Sequence, residues 1–273
     1  MLLQAGTPSP HLNAEVLMQR LLGVEKVHLH SHPETPLKPE EEKLYWAWIA
    51  RRANGEPTQY ITGHQEFWGW EFEVTTDVLI PRPETEHVVE TILELNHAAA
   101  PKIVDVGTGS GCIAIALAKE IPEAHIIAID RSREALQVAA RNAERLGVSS
   151  RIEFLWGDLL LPLGLEEYRG TLDFVVSNPP YIPAAEKTAL PKEVRIYEPP
   201  AALYTSDDDP MAVCRRLIDQ SAPRLRSGGY LVVEIGFGQK ERIESECSDP
   251  SWGKVRFVND LQSIPRVAVA PRL

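Results

Sequence analysis

The chain has 273 residues, of which 44% are apolar and 25% charged, as in a globular protein of one large or two modest domains. Its formal net charge of −11 disfavours tight binding to nucleic-acid backbones, and no apolar run approaches the roughly 20 residues of a membrane span. Three scattered cysteines argue against a disulfide framework and predict a reducing, cytoplasmic environment.

Residues 1–62 predict a small helical domain. Between Leu12 and Leu22, apolar side chains recur at helical spacing. A further helix starts at Pro39, because a proline and the three glutamates after it suit the first turn of a helix. The aromatic residues of that helix, among them Trp46, are interpreted as core rather than as a partner surface.

Three histidines, His28, His30 and His32, alternate within this domain. In an extended segment they would share one face and offer nitrogen ligands to a metal ion. No cysteine pair or facing set of carboxylates accompanies them in the sequence, so we predict no metal site.

Residues 63–83 predict a β-hairpin that links the helical domain to the rest of the chain. Aromatic and apolar side chains alternate on both sides of Gly69, which suits the turn. A helix after Pro83 then opens the second domain, residues 84–273.

The second domain continues with a strand, a glycine-rich loop and a helix, the first unit of a nucleotide-type α/β fold. The strand covers residues 103–106 and the helix residues 112–121. The loop between them consists of Gly107, Thr108, Gly109, Ser110 and Gly111. Cys112 stands where a dinucleotide fingerprint has its third glycine, so the loop suits a ligand without pyrophosphate, such as S-adenosylmethionine (SAM).

Two further strands are followed by aspartates. Asp130 follows residues 126–129, where an acid accepts hydrogen bonds from ribose hydroxyls. Asp158 comes after the strand at residues 152–156 and Gly157, and it is placed to accept from an adenine amino group, with Leu159 covering a ring face. One such aspartate is more often a cap or turn residue. Several at the carboxyl edge of one sheet indicate a ligand site.

A fourth strand, residues 172–177, leads into an unusual turn. The turn residues are Asn178, Pro179, Pro180 and Tyr181. Two prolines make a stiff, extended turn whose carbonyls have few local donors. The Asn178 amide oxygen and a backbone carbonyl would accept both hydrogens of a planar NH2 group, with Tyr181 packed on its face. Such acceptors orient a weakly nucleophilic nitrogen and raise its electron density. An ordinary Pro-Pro loop is the alternative.

The remainder of the chain predicts further elements of the same sheet-and-helix kind. A helix is expected over residues 211–225, a turn at 227–229 and a strand over 230–235. A C-terminal pair of strands is expected near residues 255–258 and 266–270.

With these motifs in place, the chain resembles the PrmC/HemK family of peptide-chain release factor glutamine N5-methyltransferases. The turn at Asn178 marks a broad set of amine methyltransferases, and the run from Arg82 to Glu86 narrows the resemblance to this family. The similar segments are residues 57–63, 66–74, 79–86, 193–199, 234–239 and 259–266.

The resemblance implies a fold and an activity. The fold is α/β: a Rossmann-like SAM-dependent methyltransferase domain with a seven-stranded, mostly parallel sheet, joined by a β-hairpin to a small N-terminal helical domain that recognises the substrate. The activity is methyl transfer from SAM to the N5 amide of the glutamine in the Gly-Gly-Gln motif of class 1 release factors, with S-adenosylhomocysteine as product. Direct nucleic-acid binding, membrane association and a metal are not expected.

The resemblance also implies roles for individual residues. The catalytic residues are Asn178, Pro179 and Tyr181. The cofactor-binding residues are Gly107, Thr108, Gly109, Ser110, Gly111, Asp130, Asp158, Leu159 and Asn178. The substrate-binding residues are Arg82, Glu84, Asn178, Pro179, Pro180 and Tyr181.

Three other functions stay open at this point. An enzyme that methylates adenine N6 or cytosine N4 in nucleic acid needs the same Asn-Pro-Pro-Tyr chemistry, although the net charge of −11 disfavours it. A ribosomal-protein glutamine is a closer alternative, disfavoured by the run Arg82–Glu86. A non-catalytic SAM-binding module has no need to orient an amine, so the intact turn argues against it.

Overall fold

The computed structural model describes residues 1–273, the whole sequence. Its strands are β1 (His64–Phe67), β2 (Trp70–Glu73), β3 (Lys102–Val106), β4 (His125–Asp130), β5 (Ile152–Trp156), β6 (Leu172–Ser177), β7 (Ile182–Pro183), β8 (Tyr204–Thr205), β9 (Leu225–Glu234), β10 (Arg256–Asn259) and β11 (Pro265–Pro271). Its helices are α1 (Pro10–Leu22), α2 (Lys26–Ser31), α3 (Pro39–Ala53), α4 (Thr58–Thr62), α5 (Glu86–Leu95), α6 (Cys112–Glu120), α7 (Arg133–Arg145), α8 (Leu165–Tyr168), α9 (Lys192–Tyr197), α10 (Pro200–Leu203), α11 (Ala212–Ser221) and α12 (Lys240–Glu246).

A seven-stranded sheet lies at the centre of the larger compact unit, in the order β10-β11-β9-β6-β3-β4-β5. The five strands from β9 to β5 in this order pair in parallel. β11 runs antiparallel to β9, and β10 runs antiparallel to β11. The sheet is therefore mostly parallel, which confirms the predicted fold class.

Both faces of this sheet are buried, which explains why its central strands read as continuous apolar runs. Successive side chains of a strand point to opposite faces. Ile103 accordingly packs in one core, with Ile92 of α5 and residues of α6. Val104 packs in the other, with Leu217 of α11 and Ile243 of α12. The sheet is thereby held rigid between two layers of helices.

Apart from its first residue, His64, the hairpin β1–β2 belongs to the larger unit, which contains Gln65–Ala189 and Glu198–Leu273. Its turn places Trp68 at φ 54° and Gly69 at φ 72°. Phe67 and Phe72 are fully buried in the core beside α5 and α6, with their ring centroids 6.0 Å apart. The hairpin is thus packed into the core of the larger unit by its own aromatic side chains.

The smaller compact unit contains Met1–His64 together with Leu190–Tyr197. Helices α1, α3 and α4 surround a core of Leu17, Ile49 and Ile61, as their apolar spacing predicts. The sequence motifs did not indicate that α9 belongs to this unit, because α9 lies more than 100 residues after α4 in the chain.

Arg52 of α3 explains how α9 is held within the smaller unit. Its side chain is buried, donates to Asn13 Oδ1 at 2.7 Å and to the Glu56 carbonyl at 3.1 Å, and pairs with Glu193 Oε2 at 2.7 Å. A guanidinium has five N–H donors, so one side chain serves helices α1, α3 and α9.

The histidine segment is helical rather than extended. His28 and His30 lie in α2, so the shared extended face that a metal site would require is not formed. The rings of His28 and His32 stack at 4.4 Å, one helical turn apart, and His30 Nε2 contacts Glu15 Oε1 at 2.5 Å. No group of three or more potential metal ligands is found in the structure.

Two element boundaries also differ from the prediction. Helix α11 ends at Ser221, and β9 already begins at Leu225, so the predicted turn at 227–229 lies inside the strand. Gly229 explains this, because a Cβ there would lie 3.0 Å from the carbonyl oxygens of Leu172 and Asp173. Gly229 therefore permits close backbone approach in an irregular β6–β9 register. No helix in the structure is both long and apolar enough to span a membrane.

Candidate active site

A cavity of about 350 Å³ opens at the carboxyl ends of β3, β4, β5 and β6. The strand order reverses here, because β4 and β5 lie on one side of β3 and β6 on the other. Ligands of open α/β sheets bind at such reversal points. The predicted site residues that line the cavity are Arg82, Gly107, Thr108, Gly109, Ser110, Asp130, Asp158, Leu159, Asn178, Pro179 and Pro180.

The glycine-rich loop after β3 forms one wall of the cavity. Gly107 and Gly109 have φ of 73° and 56°, a region that other residues rarely adopt. Gly111 does not line the cavity. Its φ is 82°, and a Cβ there would lie 3.0 Å from Ile115 Cδ1 and 3.1 Å from Ala139 Cβ. Gly111 therefore allows α6 to pack closely on α7, and a contact with the cofactor stays a prediction.

Asp105 of β3 stabilises this loop through hydrogen bonds. Its side chain is fully buried, and Oδ2 accepts from Thr108 Oγ1 at 2.6 Å and from the Ala114 N–H at 3.2 Å. The bonds join β3, the loop and the first turn of α6. Burial raises the pKa of this carboxyl to about 7, against the lowering by its hydrogen bonds.

Asp130 lies at the end of β4, where the sequence predicts an acceptor for ribose. Its Oδ2 accepts from the Gly109 N–H and its Oδ1 from the Ser132 N–H, both at 2.9 Å. Burial raises the pKa of the carboxyl. Each carboxylate oxygen keeps a further lone pair, so two ligand hydroxyls can still be accepted at the cavity wall.

Asp158 and Leu159 lie beyond β5 on the same wall. Asp158 Oδ2 accepts from Arg216 at 2.5 Å, and both side chains are about half exposed, at 49% and 47%. The sequence did not indicate this cation beside the aspartate. Leu159 lines the cavity with φ 51°, an uncommon value for a leucine.

Asn178 follows the last buried residue of β6. Its Nδ2 donates to Thr85 Oγ1 at 3.0 Å, which leaves Oδ1 on the other side of the amide. Pro179 and Pro180 continue the cavity wall. The structure thus places a carboxamide and a rigid proline turn beside the glycine loop, as the strand ends predict.

Tyr181 lies outside the residues that line the cavity. Its hydroxyl is 3.5 Å from Glu234 Oε1, and its carbonyl accepts from Gln239 Nε2 at 3.2 Å. Burial raises the pKa of the phenol well above its usual value. Packing of Tyr181 on a substrate amide therefore stays a prediction.

The two residues predicted from the Arg-Pro-Glu run have different positions. Arg82 lines the cavity and donates to Glu198 Oε1 at 2.5 Å, where the Glu198 side chain is only 1% exposed. Glu84 does not line the cavity. Its predicted contact with substrate stays untested.

Several residues near the cavity were not assigned a role from the sequence. Thr85 and Glu234 lie within segments that carry the family resemblance. That resemblance is the sequence feature that could have identified them as site residues. Asn142 of α7 had no signal. It is fully buried, donates to the Ser110 and Glu73 carbonyls at 2.9 and 3.0 Å, and accepts from the Glu73 N–H.

The cavity fits SAM in size and in chemistry. Its wall is mostly apolar with a few convergent polar groups, which is typical of small-molecule sites. Ser110 lines the cavity, and its buried hydroxyl has the weakly hydrogen-bonding Cys112 thiol beside it. Such a hydroxyl is under-satisfied, so a polar ligand group at this wall would complete its hydrogen bonding.

Solved methyltransferases share this fold. The catalytic domain of hMettl16, in complex with MAT2A 3'UTR hairpin 6, superposes with a TM-score of 0.60 at 17% identity, over 86% of this chain and 82% of that chain. A ribosomal protein L11 methylase from Lactobacillus delbrueckii subsp. bulgaricus superposes with a TM-score of 0.51 at 21% identity, over 70% and 81%. Residues 85–195 match the family model of the methyltransferase small domain. The chain therefore has the fold of these methyltransferases and carries a methyltransferase small domain.

Sequence relatives narrow this class. Residues 1–63 match the family model of the PrmC N-terminal domain. The release factor glutamine methyltransferase of Koribacter versatilis is 43% identical, over 97% of this chain and 92% of the relative. That of Geobacter sulfurreducens is 44% identical, over 97% and 91%. The chain belongs to the release factor glutamine methyltransferase family, which confirms the resemblance stated above.

Proposed function

We propose that the protein transfers a methyl group from SAM to the side-chain amide nitrogen of a glutamine, the one in the Gly-Gly-Gln motif of class 1 release factors. The observation that carries this proposal is the position of Asn178. Its amide donates to Thr85, and both residues line the cavity whose wall includes the glycine-rich loop. A carboxamide acceptor beside a SAM-type pocket suits a substrate that brings its own NH2 group.

The cofactor would be held along the strand ends. Asp130 would accept from the ribose hydroxyls, the loop from Gly107 to Ser110 would contact the methionine end, and Leu159 would cover the adenine. Asp158 would accept a hydrogen bond from the adenine amino group while its carboxylate also pairs with Arg216. When bound there, SAM supplies an electrophilic methyl group on a sulfonium. No step of the proposed reaction requires a metal ion.

The target glutamine would be oriented by the proline turn. Asn178 Oδ1 and the Pro179 carbonyl would accept the two hydrogens of its NH2 group, which fixes the nitrogen lone pair toward the cofactor. Arg82 contributes positive charge at the cavity wall, although its guanidinium is already paired with Glu198. No general base is needed close by, because the proton can leave to water after the new N–C bond has formed. Orientation then supplies most of the acceleration.

The protein substrate requires a recognition surface larger than the cavity. In the smaller unit, Leu12, Val27 and Trp46 are 54%, 77% and 52% exposed. Large apolar side chains on the surface are available for contact with a protein partner, which is compatible with the proposal that residues 1–62 recognise the release factor. Trp46 is thus exposed rather than part of the core expected from its spacing.

The cysteines support the predicted location. Cys112, Cys214 and Cys247 are all buried free thiols. Burial raises the pKa of each thiol to about 12, so none is a reactive thiolate at neutral pH. Free thiols in a chain of this size are consistent with the reducing cytoplasm, where release factors act in translation termination.

The test is direct transfer to purified acceptors. The enzyme is incubated with methyl-labelled SAM and a class 1 release factor, and the factor is digested and analysed by mass spectrometry. We expect one added methyl group on the glutamine of the Gly-Gly-Gln loop. Labelling of a ribosomal protein or of nucleic acid in parallel reactions, with the release factor unlabelled, would overturn the proposal.

A further inference from the structure

A buried hydrogen-bonded chain runs from Asn178 to Glu234. Asn178 Nδ2 donates to Thr85 Oγ1 at 3.0 Å, and Thr85 Oγ1 donates to Glu234 Oε2 at 2.6 Å. The second oxygen of Glu234 faces the Tyr181 hydroxyl at 3.5 Å. Thr85 and Glu234 are each 2% exposed. Water therefore does not compete for these bonds, and their directions are set by the protein.

The direction of each bond follows from the donors available. A carboxylate only accepts, so the single hydroxyl proton of Thr85 is committed to Glu234. The Thr85 oxygen then has only lone pairs left for Asn178, and it selects the NH2 end of that amide. The Asn178 carbonyl oxygen is consequently turned away from Thr85, which is the orientation that accepts a substrate NH2 group.

We infer that Thr85 and Glu234 are positioning residues that determine which end of the Asn178 amide faces the substrate. This inference rests on the proposed function, since it concerns how the amide acceptor is set. Protonation of Glu234 would reverse the donor and acceptor roles along this series of hydrogen bonds. The protonated carboxyl can donate to Thr85, Thr85 can then donate to the Asn178 oxygen, and the NH2 end would face the substrate NH2 group. Two donors facing each other would not bind.

The pKa of Glu234 depends on its burial and on the charged and hydrogen-bonding groups around it. Burial, together with Glu84 beside Thr85, raises the pKa of Glu234 to about 7, while Arg266 of β11 and the bonds from Thr85 and Tyr181 lower it. The carboxylate also interacts electrostatically with the buried thiol of Cys112 at the start of α6, whose pKa it raises. Because the ionised form orients Asn178 correctly, kcat should rise with pH to a plateau above about 7.

The experiment compares three threonine variants in steady-state methylation of the release factor. We expect Thr85→Val, which keeps the side-chain volume and removes the hydroxyl, to lower kcat by roughly 10²-fold. The calorimetric Kd for SAM should stay within about threefold, since Thr85 lines the cavity but the proposed contacts of Asp130 and of the glycine-rich loop are unchanged. Thr85→Ser keeps the hydroxyl and should recover most of kcat. Thr91→Val makes the same change at a buried threonine that donates to the His87 carbonyl, and should leave kcat unchanged.

The pH profile separates positioning from a structural role. The wild-type profile should lose kcat about tenfold per pH unit below about pH 7, and Thr85→Val should lose that dependence because the link to Asn178 is cut. A Thr85→Val enzyme with wild-type kcat overturns the inference. If that variant does not fold, a wild-type kcat that is flat from about pH 5.5 to 8.5 overturns it instead. A wild-type enzyme that leaves the release factor unmethylated overturns the proposed function itself.

Discussion

Asn178 and Asp130 each form some of their hydrogen bonds within the protein, and their remaining acceptor positions are available to a ligand. Asn178 uses its NH2 end on Thr85, and Asp130 uses one lone pair of each oxygen on a backbone N–H. This fixes the orientation of both side chains before a ligand arrives. Such preorganisation is what makes a single polar group valuable at a reaction centre.

At Asn178 the expected defect is in catalysis rather than in cofactor binding. Asn178→Ala removes the acceptor for the substrate NH2 group and should lower kcat roughly 10²–10³-fold. The calorimetric Kd for SAM should remain near that of the wild type. Asn96→Ala, at the end of α5, serves as the matched control and should be fully active. Turnover of Asn178→Ala at the wild-type rate would contradict the role given to this residue.

At Asp130 the expected defect is in cofactor binding. Asp130→Ala removes the ribose acceptor and also leaves the Gly109 N–H without its partner, so the Kd for SAM should rise by about 10²-fold, as for a lost bond to a charged group. Isothermal titration calorimetry with SAM measures this change. An unchanged affinity would show that the ribose lies elsewhere.

Asp105 links the site to stability through pH. Its pKa is raised from 3.8 in the unfolded reference to about 7 in the folded protein, because of burial. Its contribution to stability is therefore complete below about pH 4 and is lost as the pH rises through 7. A shift of this size corresponds to roughly 4 kcal/mol.

Asp105→Asn should remove that pH dependence while keeping an acceptor for Thr108. Between about pH 4 and pH 8, the wild type should lose on the order of 4 kcal/mol of unfolding free energy that Asp105→Asn does not lose. The difference in unfolding free energy, variant minus wild type, should therefore rise by that amount. Urea denaturation at several pH values measures it, with exposed Asp219→Asn as the control. Parallel pH curves for wild type and Asp105→Asn would refute the assignment.

At the scale of elements, one buried side chain connects three of them. Asn142 of α7 bonds the Glu73 N–H and carbonyl on β2 and the Ser110 carbonyl in the glycine loop. The hairpin, the helix and the cofactor loop therefore share one set of hydrogen bonds. Loss of this amide leaves several buried backbone groups without partners, each at a cost of about 1–3 kcal/mol.

Asn142→Ala should accordingly lower the free energy of unfolding by roughly 3 kcal/mol. Urea denaturation monitored by circular dichroism gives the value. Asn54→Ala, at the exposed end of α3, is the control and should change stability by less than about 0.5 kcal/mol. A loss at Asn142 no larger than that of the control would mean that the hairpin does not depend on this amide.

At the scale of the whole molecule, charge separates protein from nucleic-acid substrates. The net charge is −11 and the isoelectric point about 5.3, so the molecule repels phosphate backbones at neutral pH. We expect no saturable binding of a labelled RNA hairpin or DNA duplex below about 100 μM at physiological salt, a weakness typical of non-specific contacts. Fluorescence anisotropy tests this. Tight binding that weakens steeply with salt would favour a nucleic-acid substrate.

Much of the architecture follows from patterns that are local in the chain. The strand from Lys102 to Val106, the positive-φ glycines after it and the strand-end aspartates could be placed because each depends on neighbouring residues. The parallel sheet then brings the strand ends to one edge for any such succession of elements. The family resemblance rested on the same contiguous segments.

What could not be placed depends on residues that meet only in three dimensions. Thr85 and Glu234 are 149 residues apart in the chain, yet their bond orients Asn178. Arg216 beside Asp158, the inclusion of α9 in the smaller unit and the position of Tyr181 outside the cavity are likewise long-range outcomes. Periodicity and turn chemistry describe a few residues at a time, whereas the partner of a buried polar group is chosen by packing across the sheet.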